Sequence, residues 1–135
     1  LTRYIKKLIK RLDVRGVTFT GSVPQEDLMS YYRNSDIFLC LSEHEGLCVP
    51  LVEAMFSGLP IIAYDAAAVR ETVGSGGVLV KEKRFAEIAE LSHYILKHPK
   101  LKTDLSVGQK ERLKNFSAEN IRTGWREVLE YIESL

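Results

Sequence analysis

Short apolar runs alternate with amphipathic segments along this chain, and the spacing of the apolar positions predicts the elements. Ile5, Leu8, Ile9 and Leu12 recur at helical intervals, which predicts a helix over 2–12 ended by Gly16. Residues 17–20 (Val-Thr-Phe-Thr) are β-branched and aromatic and predict a strand, followed by a turn through Gly21-Ser22-Val23-Pro24. Pro24 and the acids Glu26 and Asp27 open a helix over 25–33, which Asn34-Ser35 breaks. Residues 37–41 (Ile-Phe-Leu-Cys-Leu) are continuously apolar, as in a strand covered on both faces. A helix over 49–57 leads to Gly58, a second buried strand over 60–64, a short helical turn over 69–73 and a further strand over 78–80. The remainder predicts three helices, over 84–97, 101–114 and 118–133. Pro99 parts the first two, and Ser117 is the expected N-cap of the third.

Strands of the buried type alternating with helices read as βαβ units. The expected class is therefore α/β, a Rossmann-like parallel sheet with flanking helices in a single domain over 1–135. In such sheets ligands sit beyond the carboxyl ends of the strands. That directs attention to the loop after residues 37–41, with Ser42, Glu43, His44, Glu45 and Gly46. Charge and composition narrow the partners. Lys plus Arg number 19 against 18 Asp plus Glu, a net +1, which gives no electrostatic case for nucleic acid. No apolar run approaches the roughly 20 residues of a membrane span. The basic amphipathic start lacks the h-region and cleavage site of a signal peptide and reads as a solvated outer helix, with a membrane surface as the alternative. The two cysteines, Cys40 and Cys48, lie in apolar runs and read as buried thiols of a reducing compartment. Neither a Cys-x2-Cys nor a Cys/His spacing indicates a metal site.

The segment Glu45-Gly46-Leu47-Cys48-Val49-Pro50-Leu51-Val52-Glu53 carries a carboxylate at each end of an apolar stretch. Pro50 suits the first turn of a helix, where its missing N–H would have had no partner. The backbone N–H groups of Gly46, Leu47, Cys48 and Val49 stand at the mouth of that helix and, with its dipole, make an anion site. Gly46 offers no Cβ to an approaching phosphate. A diphosphate there would leave its ribose within reach of Glu53, whose carboxylate can accept from a vicinal diol, and Glu45 would face the opposite side of the phosphates. The competing reading is structural, because a Glu in a first helical turn is favoured by the dipole alone.

At these residues the sequence resembles the C-terminal, donor-binding domain of retaining GT-B glycosyltransferases of family 4, with their Glu-x7-Glu motif at Glu45 and Glu53. The run 54–63 (Ala-Met-Phe-Ser-Gly-Leu-Pro-Ile-Ile-Ala), the upstream stretches 17–23 and 35–39, and the downstream Arg70-Glu71-Thr72-Val73 and 76–80 match in order. The resemblance implies the C-terminal half of a GT-B fold and transfer of a sugar from a nucleoside diphosphate to an acceptor hydroxyl with retention. It implies that Glu53 binds the ribose, that the 46–49 amides hold the diphosphate and adjacent sugar hydroxyls, and that Glu45 contacts the transferred sugar as the catalytic acid residue. Ser22 and Val23 would lie near the nucleobase. The implied donor is a UDP- or GDP-sugar, with no cofactor and no metal. The implied acceptor is a sugar or a lipid-linked glycan, bound through an N-terminal domain these residues do not include. By the same resemblance the Arg and Lys that clamp the diphosphate lie upstream, so the 135 residues alone are expected not to transfer sugar. Cytoplasmic location, with the parent at the inner face of the cell membrane and a role in polysaccharide synthesis, also follows only from the resemblance.

The chain departs from the common pattern at Leu47-Cys48, where many members have Phe-Gly, and at Arg70, where many have Pro. Arg70 is read as a surface charge, with a phosphate contact as the alternative. His44 is read as a hydrogen-bonded loop residue; His93 and His98 are assigned no role. Phe116 and Trp125 are expected to pack the last helix onto the domain, or else that helix exposes an apolar face for self-association. Two other functions remain open: a nucleotide-sugar epimerase of GT-B fold, and a non-catalytic binding or assembly domain.

Overall fold

The computed structural model describes residues 2–134. In chain order it contains α1 (Thr2–Arg11), α2 (Gln25–Asn34), β1 (Phe38–Cys40), α3 (Val49–Phe56), β2 (Ile61–Tyr64), α4 (Val69–Val73) and β3 (Val78–Val80). These are followed by α5 (Phe85–Lys97), α6 (Pro99–Leu113), a 3-10 turn (Lys114–Phe116) and α7 (Ala118–Glu133). The strands form one parallel sheet in the order β1-β2-β3, with Phe38 opposite Ile61 and Ile62 opposite Val78. Parallel neighbours cannot be closed by a hairpin, so α3 carries the chain from β1 to β2 and α4 carries it from β2 to β3.

The central strand decides the layering. Ile61, Ile62 and Ala63 are fully buried, and alternation sends Ile61 and Ala63 to one face and Ile62 to the other. On the first face Leu51, Ala54 and Met55 of α3, Tyr32 of α2 and Val69 and Val73 of α4 complete the core. On the second face Ile88 and Ile95 of α5 cover Ile62. Helix α6 is tied to the first layer by polar contacts. The buried Gln109 donates from Nε2 to the Leu59 carbonyl at 2.5 Å, and Arg112 Nε donates to the Thr72 carbonyl at 3.1 Å. Ser117 caps α7, its hydroxyl accepting from the Asn120 N–H at 3.2 Å.

Three expectations are corrected. Residues 17–20 form no strand: no strand pairs with them among the described residues, and Phe19 stays 40% exposed with Lys6 Nζ lying 5.3 Å from its ring centroid. Propensity without a ladder partner does not make a strand. Strand β1 is not covered on both faces. It lies at the edge of the three-strand order, and Leu39 is 47% exposed while Phe38 and Cys40 face the core. Trp125 does not pack on the domain. It is 65% exposed, as are in large part Ile121, Val128, Leu129 and Ile132 on α7, whereas Phe116 does join the core beside the Arg112 guanidinium.

Two helix glycines give opposite expectations. A Cβ on Gly108 of α6 would run into the Ser75 carbonyl of the loop before β3, while one on Gly124 of α7 would meet nothing within 4 Å. Gly108→Ala is expected to destabilise by about 1–3 kcal/mol through overpacking. Gly124→Ala is expected to stabilise by up to about 1 kcal/mol through helix propensity. Urea unfolding of the two variants checks both signs.

Candidate functional site

The loop between β1 and α3, residues 41–48, is fixed from three directions. The buried Thr72 of α4 donates its hydroxyl to the Leu47 carbonyl at 2.7 Å. The Ala68 N–H reaches the Glu45 carbonyl at 3.5 Å. Cys48, the residue before α3, adopts a left-handed conformation with φ 54°, and its carbonyl accepts from the Leu51 N–H at 2.9 Å. A non-glycine residue held there is costly unless its surroundings over-determine it. Burial of the Cys48 side chain, at 6% exposure, is what fixes it. No side chain caps α3 among the described residues, so the amides of its first turn have no protein side chain to accept from them. Gly46, Leu47 and Val49 are exposed, Glu45 is half-buried, and a Cβ on Gly46 would meet nothing within 4 Å.

Glu53 lies on α3 and is half-buried, turned toward α2. The Tyr32 hydroxyl donates to its Oε2 at 3.0 Å, and Gln25 Nε2 donates to its Oε1 at 3.4 Å. Burial first, and then the Glu53 carboxylate, push the Tyr32 phenol well above its ordinary range, so it remains a neutral donor. Gln25 is the first residue of α2 and directly follows the turn holding the exposed Ser22 and half-buried Val23. The structure therefore brings Glu45 and residues 46–49 together at the mouth of α3, and joins Glu53 to the 22–25 segment. Ser57, one turn beyond Glu53, has a buried hydroxyl with no partner.

The remaining candidates lie apart or are engaged. Arg70 is paired with Asp65, its Nε donating to Oδ1 at 3.1 Å. His44 is exposed. His98, the residue after α5, stacks on Tyr94 of that far helix with centroids 3.7 Å apart. Three features went unseen in the sequence. Lys83 Nζ, just beyond β3, donates to Glu43 in the site loop at 2.6 Å and sits 4.7 Å from the Tyr64 ring centroid. This holds the Glu43 carboxyl below its usual range. Thr72 looks like any helical threonine until its acceptor is known. Cys40, Glu45 and Cys48 form a cluster whose donor atoms all lie within 4.8 Å of one another, with the two sulfurs 3.9 Å apart. The Cys-x7-Cys spacing resembles no common ligand motif, because a strand end and a helix start bring the pair together. Burial, and behind it the Cys40 sulfur, pushes the Cys48 thiol up to about 12.

The family described as "Glycosyl transferases group 1" matches residues 2–112. The chain is 30% identical over 120 residues to the trehalose synthase of Pyrococcus horikoshii, covering 84% of this chain and 28% of that protein. It is 42% identical over 55 residues to a GDP-mannose-dependent alpha-mannosyltransferase of Mycolicibacterium smegmatis, covering 41% of this chain and 15% of that protein. Its fold is similar to sucrose-phosphate synthase from Thermosynechococcus elongatus, with a TM-score of 0.80 and 26% identity over 98% of this chain and 34% of that one. The C-terminal domain of a Francisella tularensis glycosyl transferase group 1 protein has a TM-score of 0.67 at 24% identity, covering 84% of this chain and 60% of that one, a likeness of fold. The chain spans 15–36% of the length of eight curated relatives that it matches.

Two outcomes follow from the site geometry. Burial, with the Cys40 sulfur behind it, keeps the Cys48 thiol protonated at a pH where a free thiol is partly ionised. Iodoacetamide is therefore expected to label Cys48 at least about 100-fold more slowly in the native chain than in urea, read by peptide mass spectrometry. Tyr32→Phe is expected to lower stability by about 1–2 kcal/mol, because it takes a donor from a half-buried carboxylate. Thermal unfolding measures it.

Proposed function

The chain belongs to the glycosyl transferases group 1 family, and from that premise we propose that it supplies the donor-binding domain of a retaining, family 4 type hexosyltransferase. The observation that carries the reading is the arrangement of two carboxylates about one helix. Glu45 stands beside the uncapped start of α3, and Glu53, further along the same helix, is held toward the 22–25 turn by Tyr32 and Gln25. On this reading the first-turn amides at 46–49 and the α3 dipole take the diphosphate of a UDP- or GDP-sugar. Each Glu53 oxygen accepts one bond from α2 and has a second lone pair for a ribose hydroxyl. The base lies over Ser22 and Val23, which adjoin Gln25. A mannosyltransferase using GDP-mannose among the relatives supports the GDP-sugar class.

In the transfer step the acceptor oxygen bonds to the anomeric carbon on the face from which the sugar–phosphate bond breaks, the electron pair leaves on the diphosphate, and the acceptor hydroxyl's proton passes to the departing phosphate oxygen. The amides at the mouth of α3 stabilise that developing charge, and Glu45 positions the sugar. No residue here is asked to bind a cofactor. The acceptor, a sugar or lipid-linked glycan, is taken by parts of the enzyme beyond these residues, at the cytoplasmic face of the membrane. No described helix is long and apolar enough to cross a membrane.

The test is an amide chemical-shift titration with millimolar GDP-mannose, UDP-glucose and inorganic pyrophosphate. Pyrophosphate is expected to shift residues 46–49. A nucleoside diphosphate is expected to shift the 22–25 and 53 region as well, and to bind more tightly than its 2′,3′-dideoxy analogue by about 10- to 150-fold, the loss expected for about 1.5–3 kcal/mol of charged hydrogen bonding. Glu53→Gln is expected to erase most of that preference. If no ligand moves residues 46–49, or if Glu53→Gln leaves the ribose preference intact, the reading is wrong.

A further inference from the structure

We propose that Cys40, Cys48 and Glu45 form a site for a thiolate-preferring divalent ion, zinc in the first instance, with a water in the fourth position. The spacing of the donors carries the inference. Two zinc–sulfur bonds of about 2.3 Å at a tetrahedral angle hold their sulfurs about 3.8 Å apart. The two sulfurs lie at 3.9 Å. A carboxylate oxygen of Glu45 completes the group within 4.8 Å of both. It sits on a half-buried loop side chain, which can turn inward to bring that oxygen to zinc–oxygen bonding distance.

In the structure both thiols are free. A sulfur–sulfur bond of about 2.05 Å would require the sulfurs to close about half of the distance between them. Neither backbone is free to follow. Cys40 is laddered to β2 opposite Ala63, and Cys48 stands between α3 and the Leu47 carbonyl that Thr72 holds. Two thiolates and one carboxylate are a soft donor set that selects zinc over magnesium or calcium. Binding releases the two thiol protons to solvent, and no electron is transferred. The site shares Glu45 with the donor site proposed above. The consequence that a bound ion draws this acid away from the sugar rests on that reading, and the existence of the ion site does not.

The experiment titrates the reduced chain with cobalt(II), and then with zinc, in the absence of any nucleotide. It can therefore fail or succeed independently of donor binding. Expected is one equivalent of cobalt with the visible bands of a tetrahedral ion and a thiolate-to-metal charge-transfer band, both displaced by zinc. Cys40→Ser and Cys48→Ala are expected to cost more than the roughly 10–100-fold that changes outside the ligand shell cost. Glu45→Gln is expected to keep the charge-transfer band and weaken binding. On the wild-type chain, amide shifts on zinc addition are expected to centre on residues 40 and 45–48, which keeps the test sound if a cysteine variant fails to fold. Absence of the charge-transfer band, binding unchanged in the cysteine variants, shifts centred elsewhere, or oxidation of the pair to a disulfide in place of binding would each overturn the proposal.

Discussion

Strand β2 has no face open to solvent. Ile61 and Ala63 press on α3 and α4 while Ile62 presses on α5, so every backbone polar group of the strand has to be satisfied by its neighbours. That constraint imposes parallel partners on both sides and helices on both faces. It also sends the connections α3 and α4 across the same face. Once they share that face, the carboxyl ends of β1 and β2 open onto the N-termini of α3 and α4, and the loops there are the part of the domain left to shape a site.

Rigidity of the site loop comes from the core rather than from the loop's own sequence. Thr72 is 2% exposed, and its hydroxyl finds its partner in the Leu47 carbonyl, so moving residues 46–48 would strand a buried donor. Cys48 tolerates its left-handed backbone because its side chain is one of the core residues that covers Ala63 and Cys40. The helix mouth is thus held by two neighbours contributed from α4 and β1. A side chain capping the first turn would have served stability better, and its absence leaves amide donors facing outward.

What the sequence disclosed and what it withheld divide along a physical line. Helices 25–34, 49–56, 85–97 and 118–133 follow from periodicity, caps and breakers, and those signals are local. Ser117 could be named as a cap because its partner, Asn120, is three residues away. The 17–20 strand failed because a ladder needs a partner that composition does not supply. Trp125 failed because the burial of an aromatic depends on what else is present to cover it. Within the site, the two carboxylates and the glycine were visible as a motif. The bonds that orient Glu53 were not, since Tyr32 and Gln25 lie 21 and 28 residues away. The sulfur pair is a distance, and a spacing of eight residues becomes meaningful only when a strand and a helix fold it together.

Electrostatics at the strand tips follow from the same geometry. Two cations that the fold brings to this edge arrive with an acid already on them: Lys83 on Glu43, and Arg70 on Asp65. Each pair has one exposed partner, and ion pairs near the surface contribute about 0–1 kcal/mol, so they do little for stability. Their effect is on charge placement. With Lys83 and Arg70 engaged in these pairs, the backbone donors and the helix dipole are the positive feature left at the mouth of α3, beside the Glu45 carboxylate. An anion drawn to this mouth would be read chiefly by oriented amides. Such amides need no rearrangement to receive it, which is the property required of a group that must stabilise charge as it develops.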